Sequence, residues 1–75
     1  MKELVEYIAK SLVDNPAEVS VTEEQADERL VIKLRVAPED MGKVIGKQGR
    51  IAQAMRTLLK VASVRQGTRA VLEIG

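Results

Sequence analysis

The fold of this chain is constrained most by one stretch, Val44-Ile45-Gly46-Lys47-Gln48-Gly49-Arg50-Ile51. Apolar residues on both sides of it predict two helices joined by a tight loop. Gly46 suits the position just past the first helix, where a positive φ is tolerated readily only by glycine. Gly49 stands where the second helix begins, and without a Cβ it lets another backbone come close. The first amides of that helix lack partners and carry the positive end of the helix dipole, while Lys47 and Arg50 add full charges. The loop therefore predicts a site for phosphate oxygens.

Length and composition limit the classes of protein to consider. With 75 residues, the chain has room for one domain, spanning residues 1–75. It contains no Cys and no His, which removes thiolate chemistry, the usual general base and the commonest metal ligand. We therefore expect no catalytic residues, no metal site, no cofactor and no enzymatic activity. No stretch approaches the roughly 20 apolar residues of a membrane span, and a cytoplasmic protein is expected.

The charges are unevenly distributed along the chain, although the net charge is only +1. Residues 1–30 contain three Lys/Arg and eight Asp/Glu, whereas residues 31–75 contain nine Lys/Arg and three Asp/Glu. The second half, which contains the loop, is therefore basic, and this asymmetry suggests an anionic partner. The alternative is that scattered charges merely solvate a small domain, and charge alone does not separate the two.

The spacing of apolar residues predicts the element order α-β-β-α-α-β. Three helices are expected at 2–14, 39–45 and 50–63, three strands at 17–23, 29–36 and 68–74, and a polar turn at 24–28. The apolar stripe of the last helix is predicted to comprise Ile51, Ala54, Met55, Leu58, Leu59 and Ala62. Glu39 and Asp40 fit an exposed helix start, where acidic residues suit the dipole. This order predicts an α+β fold, a three-stranded sheet with helices packed on one face.

Other short patterns in the sequence lack the features of the motifs that they resemble. The stretch from Gly42 to Gln48 lacks both the glycine spacing and the Ser/Thr of a Walker A loop. Gly42 and Gly46 form a GxxxG pattern, but no apolar 20-mer surrounds them. Tyr7 is the only aromatic residue, which excludes a base-stacking surface of the RRM or OB kind.

The loop resembles the GxxG loop of KH domains, with their common V-I-G-x-x-G core. A bare Gly-x-x-Gly is usually only a turn between helices, but here its position between the second and third helices agrees with the type II KH order. The longer stretch Ala37-Pro38-Glu39-Asp40-Met41-Gly42-Lys43-Val44-Ile45-Gly46-Lys47-Gln48-Gly49-Arg50-Ile51-Ala52 is similar to the small bacterial KH proteins of the KhpA family.

The resemblance implies a groove for about four single-stranded nucleotides of RNA. The loop amides from Gly46 to Arg50 would hold the sugar-phosphate backbone, and the edge of strand 29–36 would form the opposite wall. Val44, Ile45 and Ile51 are expected as an apolar floor, with Lys43 and Arg35 adding longer-range attraction. The complete set of expected RNA-binding residues is Lys43, Val44, Ile45, Gly46, Lys47, Gln48, Gly49, Arg50, Ile51 and Arg35.

Binding through such a groove should be weak and of low sequence specificity, because no aromatic side chain stacks on the bases. Single-stranded DNA stays open as a ligand, since a phosphate clamp does not distinguish the sugars. The resemblance also implies a small RNA chaperone or post-transcriptional regulator linked to bacterial cell shape, elongation and division.

The expected protein partners also come from the resemblance. KhpA proteins are associated with homodimers and with a larger KH-containing partner, KhpB (also Jag or EloR). We expect the contact on helix 50–63, near Val61 and Val64, although core packing explains those residues equally well. The alternative function is a protein-interaction adaptor that binds nucleic acid only incidentally. Salt-sensitive binding of short RNA by the isolated domain would favour the first function over the second.

Overall fold

The computed structural model describes residues 1–75 and has the predicted order of helices and strands. The helices are α1 (Lys2–Leu12), α2 (Met41–Ile45) and α3 (Arg50–Arg65), and the strands are β1 (Ser20–Ala26), β2 (Arg29–Arg35) and β3 (Arg69–Ile74). Single turns of 3₁₀ helix precede β1 at Pro16–Glu18 and α2 at Pro38–Asp40. The predicted α+β class is confirmed, and the arrangement is that of a type II KH fold.

The three strands form one mixed sheet in which β2 lies in the centre. β1 pairs with β2 antiparallel, as a hairpin does, and β3 pairs with β2 parallel. A parallel neighbour is the usual outcome when helices connect two strands of one sheet. The expectation that the edge of strand 29–36 forms a wall of the binding groove is therefore wrong, because both edges of β2 are paired. The free edges of the sheet belong to β1 and β3.

One face of the sheet packs against the helices and forms the core. Ile32 and Leu34 of β2 are fully buried there. The ten buried residues of the core are Val5, Ala9, Val13, Val21, Ile32, Leu34, Val44, Met55, Leu59 and Leu72. The opposite face carries the alternate residues of β2, among them the exposed Lys33 and Arg35. The helices thus occupy one side, and the basic side chains of β2 occupy the other.

The β1–β2 hairpin is tighter than the sequence suggests. β1 continues to Ala26, so the predicted turn at 24–28 shrinks to Asp27 and Glu28. Asp27 has a φ of 53°, in the left-handed region that Asp adopts more readily than most residues. Only Val21 of β1 is buried. A polar composition is normal for an edge strand. The predicted strand, 17–23, has the right length of seven residues but begins three residues too early, where the chain instead forms the 3₁₀ turn at Pro16–Glu18.

The buried stripe of α3 differs from the predicted one. Its buried residues are Ala52, Met55, Leu59 and Ser63. Ala54 and Leu58, predicted to be part of the stripe, are exposed, and Leu58 retains 48% of its accessible surface. Adjacent helical residues point about 100° apart, so Leu58 and Leu59 cannot both face the sheet. The exposed Leu58 leaves α3 with a second apolar strip on its outer side.

None of the helices is long and apolar enough to cross a membrane.

Candidate nucleic-acid interface

Gly46 ends α2 and is fixed as glycine by its surroundings. Its amide donates to the carbonyl oxygen of Gly42 at 2.9 Å, and its φ is 77°. A Cβ at this position would lie 2.7 Å from Cγ1 and 3.0 Å from Cβ of Ile51. A side chain at residue 46 is therefore unfavourable for two reasons: the positive φ, and a steric clash with the Ile51 side chain. The first turn of α3 consequently packs directly against the end of α2.

The residues between the two glycines form a strained turn. Gln48 has φ 56° and ψ 25°, and Gly49 follows with φ 73° and ψ 16°. Two successive residues in the left-handed region thus lead into α3. The region costs a non-glycine residue roughly 1–2 kcal/mol, and such strain concentrates at functional sites. Lys47 and Gln48, at the tip of this turn, are both exposed.

Most backbone amides of the turn donate hydrogen bonds to nearby backbone carbonyl oxygens. Gly46 donates to Gly42, the Gly49 amide donates to the carbonyl oxygen of Gly46 at 3.1 Å, and the Arg50 amide donates to that of Lys47. Of the five amides from Gly46 to Arg50, at most those of Lys47 and Gln48 are left for a ligand. The prediction that all the loop amides from Gly46 to Arg50 are free to bind a ligand is therefore wrong, because three of them donate hydrogen bonds that close the turn.

The side of Gly49 where a Cβ would stand is open. No atom lies within 4 Å of that position, in contrast to Gly46. Glycine is needed at residue 49 for its positive φ and not because the chain packs there. Nothing in the protein blocks an approaching strand on this side of the loop.

The expected apolar floor is only partly accessible. Val44 is fully buried and belongs to the core, so its side chain cannot reach a base. Ile45 and Ile51 are half-buried and pack against the core from its border. Ile45 and Ile51 thus remain candidates for contact with bases, whereas Val44 is no longer one.

Lys43 lies in a network of acidic groups instead of facing solvent freely. Its ammonium donates to Oδ2 of Asp14 and lies 3.7 Å from Oδ1 of Asp40. Asp40 is not the exposed helix-start residue expected from the sequence, since only 1% of it is accessible. Its two carboxylate oxygens accept the amides of Asp14 at 3.3 Å and Asn15 at 3.1 Å. Asp40 thus ties the segment after α1 to the start of α2.

The same network perturbs the ionisation of Lys43. The hydrogen bond to Asp14 and the negative charges of Asp14 and Asp40 raise the pKa of Lys43 above its ordinary value of 10.5. The ammonium is therefore firmly charged at neutral pH, but two carboxylates largely neutralise its field. Lys43 attracts a phosphate less than the sequence alone suggests.

Arg35 lies apart from the loop. It is exposed on the sheet face that the helices leave free, opposite Ser20 of β1 and near Thr22 and Lys33. The structure therefore does not bring Arg35 together with Lys47 and Arg50.

Most basic side chains are free of ion pairs. The only Lys or Arg residues in ion pairs are Lys10, Lys33 and Lys43. The unpaired ones are Lys2, Arg29, Arg35, Lys47, Arg50, Arg56, Lys60, Arg65 and Arg69. Lys47 and Arg50 flank the N-terminus of the 16-residue helix α3. Their charges add to the positive potential of the helix dipole at that end.

A groove runs between α3 and the edge strand β3. Its lining consists of Arg56, Leu59, Lys60, Ala70, Val71 and Leu72. We call this the α3/β3 groove. It combines an apolar base with two unpaired cations, and β3 supplies the free strand edge that β2 lacks. None of these residues was predicted from the sequence, although the parallel-crossover rule could have placed β3 at an edge beside β2.

Comparison with known proteins gives one consistent family. Residues 2–74 match the family model described as "KhpA/KhpB, KH domain". The chain is 58% identical to RNA-binding protein KhpA of Clostridium perfringens and 60% identical to that of Clostridium acetobutylicum. Both alignments cover 99% of each chain.

A solved structure supports the fold. The chain resembles a crystal structure of Era from Aquifex aeolicus bound to GDP and AlF4⁻, with a TM-score of 0.63 and 22% identity. The match covers 97% of this chain but only 28% of Era. At this identity the likeness concerns the fold alone.

Proposed function

The chain belongs to the KhpA/KhpB family of KH domains, and from that membership we propose that it binds single-stranded RNA through the GxxG turn and the α3/β3 groove. The observation that carries the proposal is the turn itself. Contact with Ile51 fixes Gly46, so that Lys47 and Gln48 project beside the N-terminus of α3. The relatives named RNA-binding protein KhpA support the choice of RNA as the ligand.

Within this site the phosphates lie against Lys47, Arg50 and the amides that the turn leaves free. Ile45 and Ile51 contact bases from one side, and the free edge of β3 offers peptide groups to base edges from the other. Lys47 and Arg50 carry no competing ion pair, whereas Lys43 is held by carboxylates. The first two therefore dominate the attraction, and Lys43 and Arg35 contribute from a distance.

The expected affinity is low. Neutralising about three phosphates gives a salt slope of roughly −2 for a single strand. Base stacking on aromatic side chains, worth about 1–3 kcal/mol per base, is missing because Tyr7 lies on α1. Sequence preference is correspondingly small. These properties suit a cytoplasmic RNA chaperone or post-transcriptional regulator that acts with a second KH protein.

The direct test of the site is the double substitution Lys47→Asp with Gln48→Asp. Asp tolerates the left-handed conformation at residue 48, so the fold should persist while carboxylates face the phosphates. A matched control, Lys2→Asp with Ser11→Asp, changes the net charge equally on α1, away from the loop and the groove. RNA retention in an electrophoretic shift assay should fall for the loop variant alone. Equal binding by a folded loop variant contradicts the proposal.

A second candidate function, a dimerisation or adaptor module, rests on the exposed strip of α3. Leu58, Val61 and Val64 expose 48%, 52% and 69% of their surfaces on one side of the helix. Pairing through this strip, with a second copy or a KhpB-type protein, would bring two sites together and raise effective affinity without new contacts.

The strip is tested by Val61→Ser with Val64→Ser. If it forms the dimer contact, sedimentation analysis should show a dimer for the unchanged protein and a monomer for the variant. Tyr7→Ser, which removes a side chain with 73% exposure from α1, is the control and should stay dimeric. A variant that retains the unchanged protein's mass contradicts the assignment of the strip.

A further inference from the structure

Two pairs of like charges lie beside the α3/β3 groove. Arg29 and Arg69 are register partners on the neighbouring parallel strands β2 and β3. Strands in a sheet are about 4.8 Å apart, and two positive charges on neighbouring strands at that spacing repel each other. Arg56 and Lys60 are four residues apart on α3, a spacing at which like charges also repel. Neither arrangement benefits the stability of the free protein.

No carboxylate compensates these charges. None of the four side chains forms an ion pair. Glu73, the only acidic residue between positions 50 and 75, is the register partner of Lys33. Glu28 borders a shallow hollow with Arg69 but makes no ion pair with it. A bound anion would therefore relieve the repulsion within both pairs of cations.

The two pairs border one continuous depression. The α3/β3 groove shares Lys60, Ala70 and Val71 with an adjoining hollow. The other residues that line this hollow are Arg29, Ser63, Val64, Thr68 and Arg69. The depression thus passes along α3 and around the edge of β3 until it reaches the Arg29–Arg69 pair.

We propose that the single strand does not end in the α3/β3 groove but continues around β3, where Arg29 and Arg69 bind its phosphates. Guanidinium groups match phosphate oxygens in a two-pronged geometry, and two adjacent ones suit successive phosphates. The inference rests on the proposed function, because the loop site must hold the first part of the strand. It adds a second phosphate-binding site at the far end of the α3/β3 groove.

The experiment compares a uridine tetramer with a uridine decamer, using the full chain and the variant Arg29→Gln with Arg69→Gln. The variant should bind the tetramer as the unchanged protein does and bind the decamer more weakly. Loss of two phosphate contacts reduces the salt slope by about 1.4. Raising salt from 50 to 200 mM should therefore weaken decamer binding by the unchanged protein about sevenfold more than by the variant.

Three controls make the result decisive. Lys2→Gln with Lys10→Gln removes the same net charge from α1 and should leave decamer binding unchanged. The melting temperature of the Arg29/Arg69 variant should be equal or higher, because like-charge repulsion is removed. A glutamate decamer should not compete with the uridine decamer, since the site is assigned to a nucleic acid and not to an acidic peptide.

Several results overturn the proposal. Equal decamer binding by the variant and the unchanged protein, or an equal loss of binding in the α1 control, would contradict the second phosphate-binding site. Neither result would contradict the loop site. Competition by the glutamate decamer at equal concentration reassigns the arginine pair to an acidic protein segment. If the unchanged protein binds neither uridine oligomer, the proposed function itself is wrong and this inference fails with it.

Discussion

Gly46 and Ile51 approach so closely that a Cβ on residue 46 would stand 2.7 Å from Cγ1 of Ile51. This contact joins the end of α2 to the first turn of α3 and determines how far the intervening turn projects. Gly49 has no such neighbour. The two glycines of the motif therefore have different roles: Gly46 is required by packing and conformation, Gly49 by conformation alone.

The first prediction separates these roles. Gly46→Ala should lower the free energy of unfolding by roughly 2–4 kcal/mol, because it adds an overpacking penalty to an unfavourable φ. Gly49→Ala should lower it by about 1–2 kcal/mol, since only the φ is unfavourable. Urea denaturation of both variants measures the difference.

A double variant tests whether the Gly46 effect arises from the contact. Ile51→Ala removes Cγ1 and Cδ1, two of the three atoms nearest the new Cβ. Gly46→Ala should therefore cost less in the Ile51→Ala background than in the unchanged chain. Additive losses would show that the contact with Ile51 is not the cause.

A second prediction concerns the buried carboxylate of Asp40. Asp40→Ala leaves the amides of Asp14 and Asn15 without their acceptor and should cost about 2–4 kcal/mol of unfolding free energy. Glu39→Gln, at the exposed neighbouring residue, should cost less than about 0.5 kcal/mol. Thermal unfolding of both variants compares the two carboxylates, and a similar loss for both would contradict the anchoring role of Asp40.

A third prediction addresses the neutralisation of Lys43. Asp14→Asn removes the carboxylate that holds its ammonium and should increase affinity for a short RNA strand at low salt. If Lys43 then meets one phosphate, the salt slope steepens by about 0.7, and the gain shrinks two- to threefold between 50 and 200 mM salt. Glu18→Gln is the control, because Glu18 has no ion pair. An equal gain in RNA affinity in both variants would show that the change in net charge, and not the release of Lys43, is the cause.

The raised pKa of Lys43 gives a prediction for alkaline solution. A pKa higher in the folded than in the unfolded chain adds stability that is fully present below about 10.5. That stability is lost as the pH rises through the folded-state pKa. The stability difference between the unchanged protein and Lys43→Gln should therefore be constant from pH 6 to 9 and shrink above about 10.5. A difference that grows in alkaline solution would contradict the network.

The sequence was sufficient to predict the element order, because each helix and strand has its own period of apolar residues. It was insufficient where two apolar residues are adjacent, as at Leu58 and Leu59, or where a polar residue such as Ser63 is buried. Val44 shows the same difficulty, since an apolar residue beside a binding loop can belong to the loop or to the core. Only the tertiary packing of α2 against α1 and α3 decides between them.

The internal closure of the turn could not be predicted either. It depends on a left-handed conformation at Gln48, a residue type that gives no signal for it. Likewise, the ion pair between Lys43 and Asp14 joins residues 29 positions apart in the chain. The neutralisation of Lys43 by Asp14 thus depends on a long-range contact, whereas the glycine spacing is a local feature that can be read directly from the sequence.

The most direct test of the account is a titration of the ¹⁵N-labelled protein with a short unpaired RNA, followed through the backbone amide resonances. We predict that the largest shifts occur at Lys47, Gln48 and Arg50, followed by Lys60 and Ala70 in the α3/β3 groove. Resonances on the free sheet face, such as Thr22, should move little. Shifts at the free face without any at residues 47–50 would contradict the central claim.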